Sequence, residues 1–268
     1  MRVFRTIGIE TDGRGVARLT LQRPERHNAL DGTMIAELAE AAERLGRDAS
    51  VRVVVLAAEG PTFCAGGDLG WMREQMTADG TRRGEEARRL AGMLLALDTL
   101  PKPLVAEVQG PAYGGGVGLL SVCDVAVGVE DATFVLSETK LGLIPATIGP
   151  YVLARIGPAA ARRVMLSSRR FTAGEALGMG LLARLVPRNR LHEAVEEEVK
   201  RFLACAPGAV ADAKRLLWAL GGGVDSAAVD TSVAALVARW ETEEAQQGIA
   251  AFFERRAPPW AGPGPDDA

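Results

Sequence analysis

Histidine occupies only two positions in this chain, His27 and His192, which leaves little from which to assemble a catalytic zinc site. Cysteine is nearly as scarce. Cys64, Cys123 and Cys205 stand far apart and never in a CxxC spacing, the pattern of reduced thiols in a cytosolic core rather than of a disulfide framework. Neither sign of charge is in excess: the net charge is −3 and basic residues are spread, so nucleic acid is not an expected partner. A long hydrophobic run is missing as well. The most apolar stretch, 104–129, is interrupted by Glu107, Gln109 and Asp124, which excludes a membrane span there. The opening MRVFRTIGIETDGRG alternates like a strand and lacks the apolar centre of a secretory leader, so a cytoplasmic location is expected.

What the chain does have is apolar bulk and glycine in telling places. At 268 residues, 48% apolar and 24% charged, it is long enough for one large core with or without an appendage. The stretch 102–145, KPLVAEVQGPAYGGGVGLLSVCDVAVGVEDATFVLSETKLGLIP, organises the rest. Leu104–Val108 reads as a buried strand, a turn follows, and Gly114, Gly115 and Gly116 open an apolar helix carrying Val117, Leu119, Leu120 and Val122. Three glycines where a helix begins suggest that something approaches the main chain closely. Amides at a helix start carry partial positive charge and bind an anion or a developing oxyanion.

A second glycine bend, CAGGD at 64–68, follows its own strand (51–58) just as the triplet follows Leu104–Val108. Two bends, each offering an amide, suit the gripping of one thioester oxygen from two sides as it becomes an enolate. Gly116-Val-Gly118-Leu-Leu-Ser121 also imitates a dinucleotide fingerprint, with Glu138 about where a ribose-binding acid would stand, but its third glycine is missing. A Rossmann-type oxidoreductase would leave the CAGGD bend unexplained.

In chain order, residues 3–10 and Val16–Leu21 form a hairpin about Asp12 and Gly13. From an N-cap at Asp31, Met34, Leu38, Ala41 and Leu45 mark an amphipathic helix closed by Gly46. Residues 73–90 read as a charged helical cover, and 88–100 as an apolar helix stopped by Pro101 and Pro103. Val125–Val129 is a strand. Beyond Pro145 the chain turns helical, with punctuation at Gly157 and Pro158, a short helix over 173–180, and three helices at 191–205, 209–220 and 225–256. In the last, Val229, Val233, Leu236, Val237 and Trp240 read as a packing or subunit-contact face. The tail from Pro259 is expected to fray.

Seven segments in one order, RPERHNALD (23–31), FCAGGDL (63–69), KPLVAEVQGPAYGGG (102–116), CDVAV (123–127), SETKLGLIP (137–145), FTAGEALGMGLLARLV (171–186) and QGIAAFFERRAP (247–258), resemble the enoyl-CoA hydratase/isomerase (crotonase) superfamily over nearly the full length. The resemblance implies an α/β fold, a spiral of ββα repeats over 1–190 holding the active site. A helical region over 191–258 would pack trimers, often paired as hexamers, and 259–268 would be tail. It implies no cofactor, since CoA is part of the acyl-CoA substrate, and no metal.

Carried over by position, the oxyanion amides are those of Gly67 and Gly115, and the acid is Glu138. Ala65, Asp68 and Leu69 fall at the CoA side, with Arg26 in reach of a phosphate, and Trp71 and Met72 at the acyl wall. The superfamily's other glutamate falls at Gly118, which has no side chain to hold a water. The context GGGVGL with SETKLGLIPATI is similar to a bacterial subgroup that hydrates branched, acidic esters such as methylglutaconyl-CoA. Hydration is therefore the expected reaction. A Δ3,Δ2-enoyl-CoA isomerase using Glu138 alone, or an inactive crotonase-fold binding protein, are the alternatives. Among these residues Glu138 stands out on physical grounds, because an acid among apolar neighbours is expensive to bury without a function.

Overall fold

The computed structural model describes residues 4–221 and 223–261. A six-stranded sheet carries the molecule. β1 (Ile7–Thr11) and β2 (Val16–Leu21) form the expected antiparallel hairpin, whose turn is pinned by Asp12 Oδ1 accepting from the amides of Arg14 and Val16 at 2.8 and 3.1 Å. After the hairpin comes α1 (Gly32–Arg47), then β3 (Val53–Ala58), α2 (Leu69–Thr77), α3 (Gly80–Asp98) and β4 (Leu104–Val108). The central stretch supplies β5 (Ala112–Tyr113), α4 (Gly115–Ser121), β6 (Val125–Val129) and β7 (Thr133–Val135).

The remainder is α5 (Gly149–Met165), β8 (Phe171–Thr172), α6 (Ala173–Gly178), β9 (Arg184–Val186), α7 (Leu191–Leu203), α8 (Pro207–Leu220), α9 (Ser226–Trp240) and α10 (Glu243–Phe253).

Strand order in the main sheet is β1-β2-β3-β4-β6-β9, parallel from β2 onward, with Val54 beside Leu104 and Val105 beside Val125. The run VVVLAA of β3 is covered on both faces, as an unbroken apolar parallel strand must be. A second sheet, β5-β7-β8, accompanies it, and the stacked rings of Phe134 and Phe171 on β7 and β8, 5.5 Å apart, belong to the large core. Each parallel pair returns the chain to the same end of the sheet, so the bends after β3 and β4 are neighbours. No helix of the described residues is long and apolar enough to cross a membrane.

Three expectations change. Gly46 does not close α1; the helix runs on to Arg47 with Asp48 as its C-cap. A Cβ at Gly46 would stand 3.3 Å from Pro101 Cδ, so close packing on the next turn of chain, not a left-handed cap, accounts for the glycine. The charged segment 73–90 is not one cover but the end of α2 and the first half of α3, divided at Asp79, which caps α3 by accepting from the Arg82 amide at 2.8 Å. The helix read over 225–256 is two, because Thr242 accepts from the Ala245 amide and starts α10 afresh.

α7 lies on the sheet, its Leu191, Ala194, Val195 and Val199 joining the main core. α8 has no buried residue and is tied down by Lys214 on Asp124 (2.7 Å) and by Trp218 Nε1 donating to Asp98 (3.1 Å). Trp260 sits against Gly142 and Gly248, so the tail is packed where it begins. Residues 262–268 of that tail lie outside the described residues.

Candidate active site

The two glycine bends meet. Isolated parallel bridges join Cys64 to Ala112 and Leu30 to Gly67, and the Tyr113 amide donates to Cys64 O at 2.9 Å. Gly66, at φ +87°, approaches the other bend so closely that a Cβ would lie 2.9 Å from Tyr113 O and 3.4 Å from the Gly115 amide nitrogen. Only glycine satisfies both the left-handed backbone and the contact. Leu30 completes the frame: its amide donates to Gly66 O at 2.7 Å, and its carbonyl accepts from Asp68 N at 2.9 Å.

Within that frame the amides of Gly67 and Gly115 hydrogen-bond to none of the described residues. Gly115 is the first residue of α4, where no intrahelical acceptor exists. Both glycines open on one cavity of about 360 Å³.

Glu138 opens on the same cavity, from the first position of a short 3₁₀ turn, Glu138–Leu141. Its Oε1 lies 2.8 Å from where a Cβ on Gly114 would stand, so the acid rests against the glycine triplet itself. The residue as a whole is half-buried, yet its Oε2 is buried without a hydrogen-bond partner. Burial pushes the carboxyl up to about 7, only partly offset by its own backbone amide.

The other expected residues divide. Ala65, Leu69, Trp71 and Met72 line the cavity, and the last two lie directly over Gly67, within 3.8 Å of a Cβ placed there. Trp71 is held by its Nε1 donating to Glu86 at 3.3 Å. Asp68 is not on the lining. It caps α2, accepting from the amides of Gly70 and Trp71 on one oxygen and from Arg23 on the other. Arg26 is exposed at the end of a 3₁₀ turn, Pro24–Arg26, and does not reach the cavity either. His27 makes a polar turn contact with Thr62 Oγ1, 2.9 Å away.

Gly118 requires a correction: it is buried behind the wall rather than part of it. A Cβ at 118 would come within 2.5 Å of Ile148 Cγ2, so the volume open to a side chain there is filled by Ile148, which itself lines the cavity. The face of α9 read as packing surface does pack, with Val233 and Trp240 buried and Val229 against the main core, and its Leu236 and Trp240 line the cavity as well. Trp240 carries Arg83 over its ring at 5.7 Å. Sequence reasoning missed these two together with Leu143, Ile144, Thr147 and Ile148. The loop 143–148 follows Glu138 directly, and that adjacency was the available signal.

A ββα spiral with two interlocked glycine bends over a mainly apolar cavity defines an enzyme of the crotonase fold. The chain belongs to the enoyl-CoA hydratase/isomerase family, whose sequence profile matches residues 11–263. It is 34% identical over 246 residues to a putative enoyl-CoA hydratase of Thermus thermophilus, covering 91% of this chain and 96% of that protein. It is 38% identical over 203 residues to an enoyl-CoA hydratase of Alternaria alternata, covering 75% of this chain and 66% of that longer protein. The solved structure of an enoyl-CoA hydratase from Shewanella pealeana superposes with a TM-score of 0.79 at 38% identity, covering 96% of each chain.

Proposed function

We propose that this protein adds water across the α,β double bond of an enoyl-CoA thioester. The observation that carries the reading is Glu138, a carboxyl with one oxygen buried and unpartnered, on the lining of the same cavity as two unengaged amides, those of Gly67 and Gly115. The amides hold the thioester oxygen as charge moves onto it, and the mainly apolar lining strengthens them. Glu138 takes a proton from the attacking water and returns it to Cα. A carboxyl poised near 7 is suited to both tasks at neutral pH.

Ala65 and Leu69 flank the CoA side, Trp71 and Met72 the acyl side. Lys140, on the same lining, supports an acidic acyl group of the branched methylglutaconyl type. No cofactor beyond the CoA of the substrate enters the scheme. The proposal extends to a cytoplasmic homotrimer, singly or paired, assembled through the helices beyond residue 190.

A second reading rests on the correction at Gly118. With Ile148 in that space the wall is apolar and a second carboxylate is absent, an arrangement suited to a Δ3,Δ2-enoyl-CoA isomerase that shuttles one proton on Glu138. The test follows the loss of enoyl thioester absorbance with crotonyl-CoA and 3-methylglutaconyl-CoA, and the isomerisation of a 3-enoyl-CoA. Glu138→Gln should lower turnover by about a hundredfold or more while CoA-ester binding persists. Unchanged turnover in that variant would remove the mechanism.

A further inference from the structure

If Ile148 fills the wall beside α4, some other group there must hold the water that hydration needs. Thr147 is the neighbour of Ile148 and lines the same cavity. It is 6% exposed, and its hydroxyl has no hydrogen-bond partner among the described residues. A buried hydroxyl without a partner is costly unless a ligand or water engages it. Its residue borders the cavity, where a bound water is within the reach of a side-chain hydroxyl.

The fold fixes where that is. Ile148 packs on Gly118, and Gly118 lies one helical turn along α4 from Gly115, whose amide opens on the cavity. A main-chain turn closed by Ala146 N donating to Ile144 O (2.8 Å) and Gly149 N to Ala146 O (3.1 Å) then sets Thr147 ahead of α5. Ser137, the other hydroxyl on the lining, adjoins Glu138 itself, whereas Thr147 immediately precedes Ile148, the residue that fills the space at Gly118.

We propose that Thr147 holds the attacking water against Glu138, its hydroxyl replacing the absent second acid. This rests on the hydration reading above. One water hydrogen is directed to Thr147 Oγ1 and the other to the Glu138 carboxylate, which points the oxygen lone pair at Cβ. As the C–O bond forms at Cβ, the double-bond electrons move through Cα onto the thioester oxygen, and Glu138 takes the proton. The enolate electrons then return to bond that proton to Cα, so one water is consumed and Glu138 ends as it began. Thr147 makes and breaks no bond; it positions the nucleophile.

The experiment compares wild type, Thr147→Val and Thr147→Ser in two assays: hydration of crotonyl-CoA, and exchange of the α-protons of butyryl-CoA in deuterium oxide. Exchange needs Glu138 and the two amides but no attacking water. In Thr147→Val, hydration kcat should fall about tenfold or more with KM within about twofold, while the ratio of hydration to exchange falls by a similar factor. Thr147→Ser, which keeps the hydroxyl, should recover most of the loss.

Wild-type hydration by Thr147→Val would overturn the assignment, as would equal falls in hydration and exchange, which mark a loop that merely collapsed. A wild-type enzyme that exchanges but does not hydrate would also overturn it and favour the isomerase reading. One that does neither would take the proposed function down as well.

Discussion

The chemistry turns on one carboxyl whose proton affinity is set by its surroundings. Glu138 is raised to about 7 from an ordinary 4.5, so the folded protein binds more protons than the unfolded chain between those values. Stability therefore falls as pH climbs through that window, by up to about 3 kcal/mol at the usual conversion of pKa into free energy. Glu138→Gln should remove the fall: urea denaturation should find the variant more stable than wild type at pH 8 and equal to it at pH 4. If the same carboxylate accepts the water proton, wild-type kcat/KM for hydration should rise with pH below 7 and level off above it. Glu138 was legible in the sequence because an acid amid Val135, Leu136 and Leu141 contradicts its neighbours. The role of Gly118 was not, since nothing in GGGVGL tells that Ile148, thirty residues on, fills the space above it.

Among elements, those with strong local patterns were legible: the β-branched run of β3, the amphipathic α1 behind Asp31, and the glycine triplet that opens α4. Boundaries decided by contacts were not. Gly46 has the chemistry of a terminator but is used for packing, and the break before α10 depends on a single threonine cap.

Asp68 shows how an element boundary bears on the site. It caps α2 and accepts from Arg23, which also pairs with Asp31, the cap of α1, at 2.9 Å. One guanidinium thus ties together the starts of the two helices flanking the Gly66–Gly67 bend. Asp68→Ala removes a cap and one partner of Arg23, and should cost about 1–2 kcal/mol in denaturant unfolding. Because Trp71 and Met72 of α2 lie over Gly67, KM for an enoyl-CoA ester should rise as well. Unchanged KM would separate the clamp from the site.

For the whole molecule, the order of segments made the architecture legible, whereas the cavity was only half so, because its far wall comes from α9 and α10. Those helices return to the site after α8, which presents Leu216, Leu217 and Leu220 at 57%, 71% and 76% exposure. Side chains of this kind release about 1.5–3 kcal/mol each when fully buried, and an apolar row on an outlying helix is the mark of a covered surface. The proposed assembly accounts for this row if another copy of the chain covers it. Leu217→Glu with Leu220→Glu should then reduce the sedimenting mass toward the 28.3 kDa monomer. Neither leucine is packed within its own chain, so far-ultraviolet circular dichroism should hardly change. A mass unaltered by the two charges would place the contact elsewhere. A monomer that keeps hydration activity would show that Glu138, Gly67 and Gly115 need nothing from a neighbouring copy.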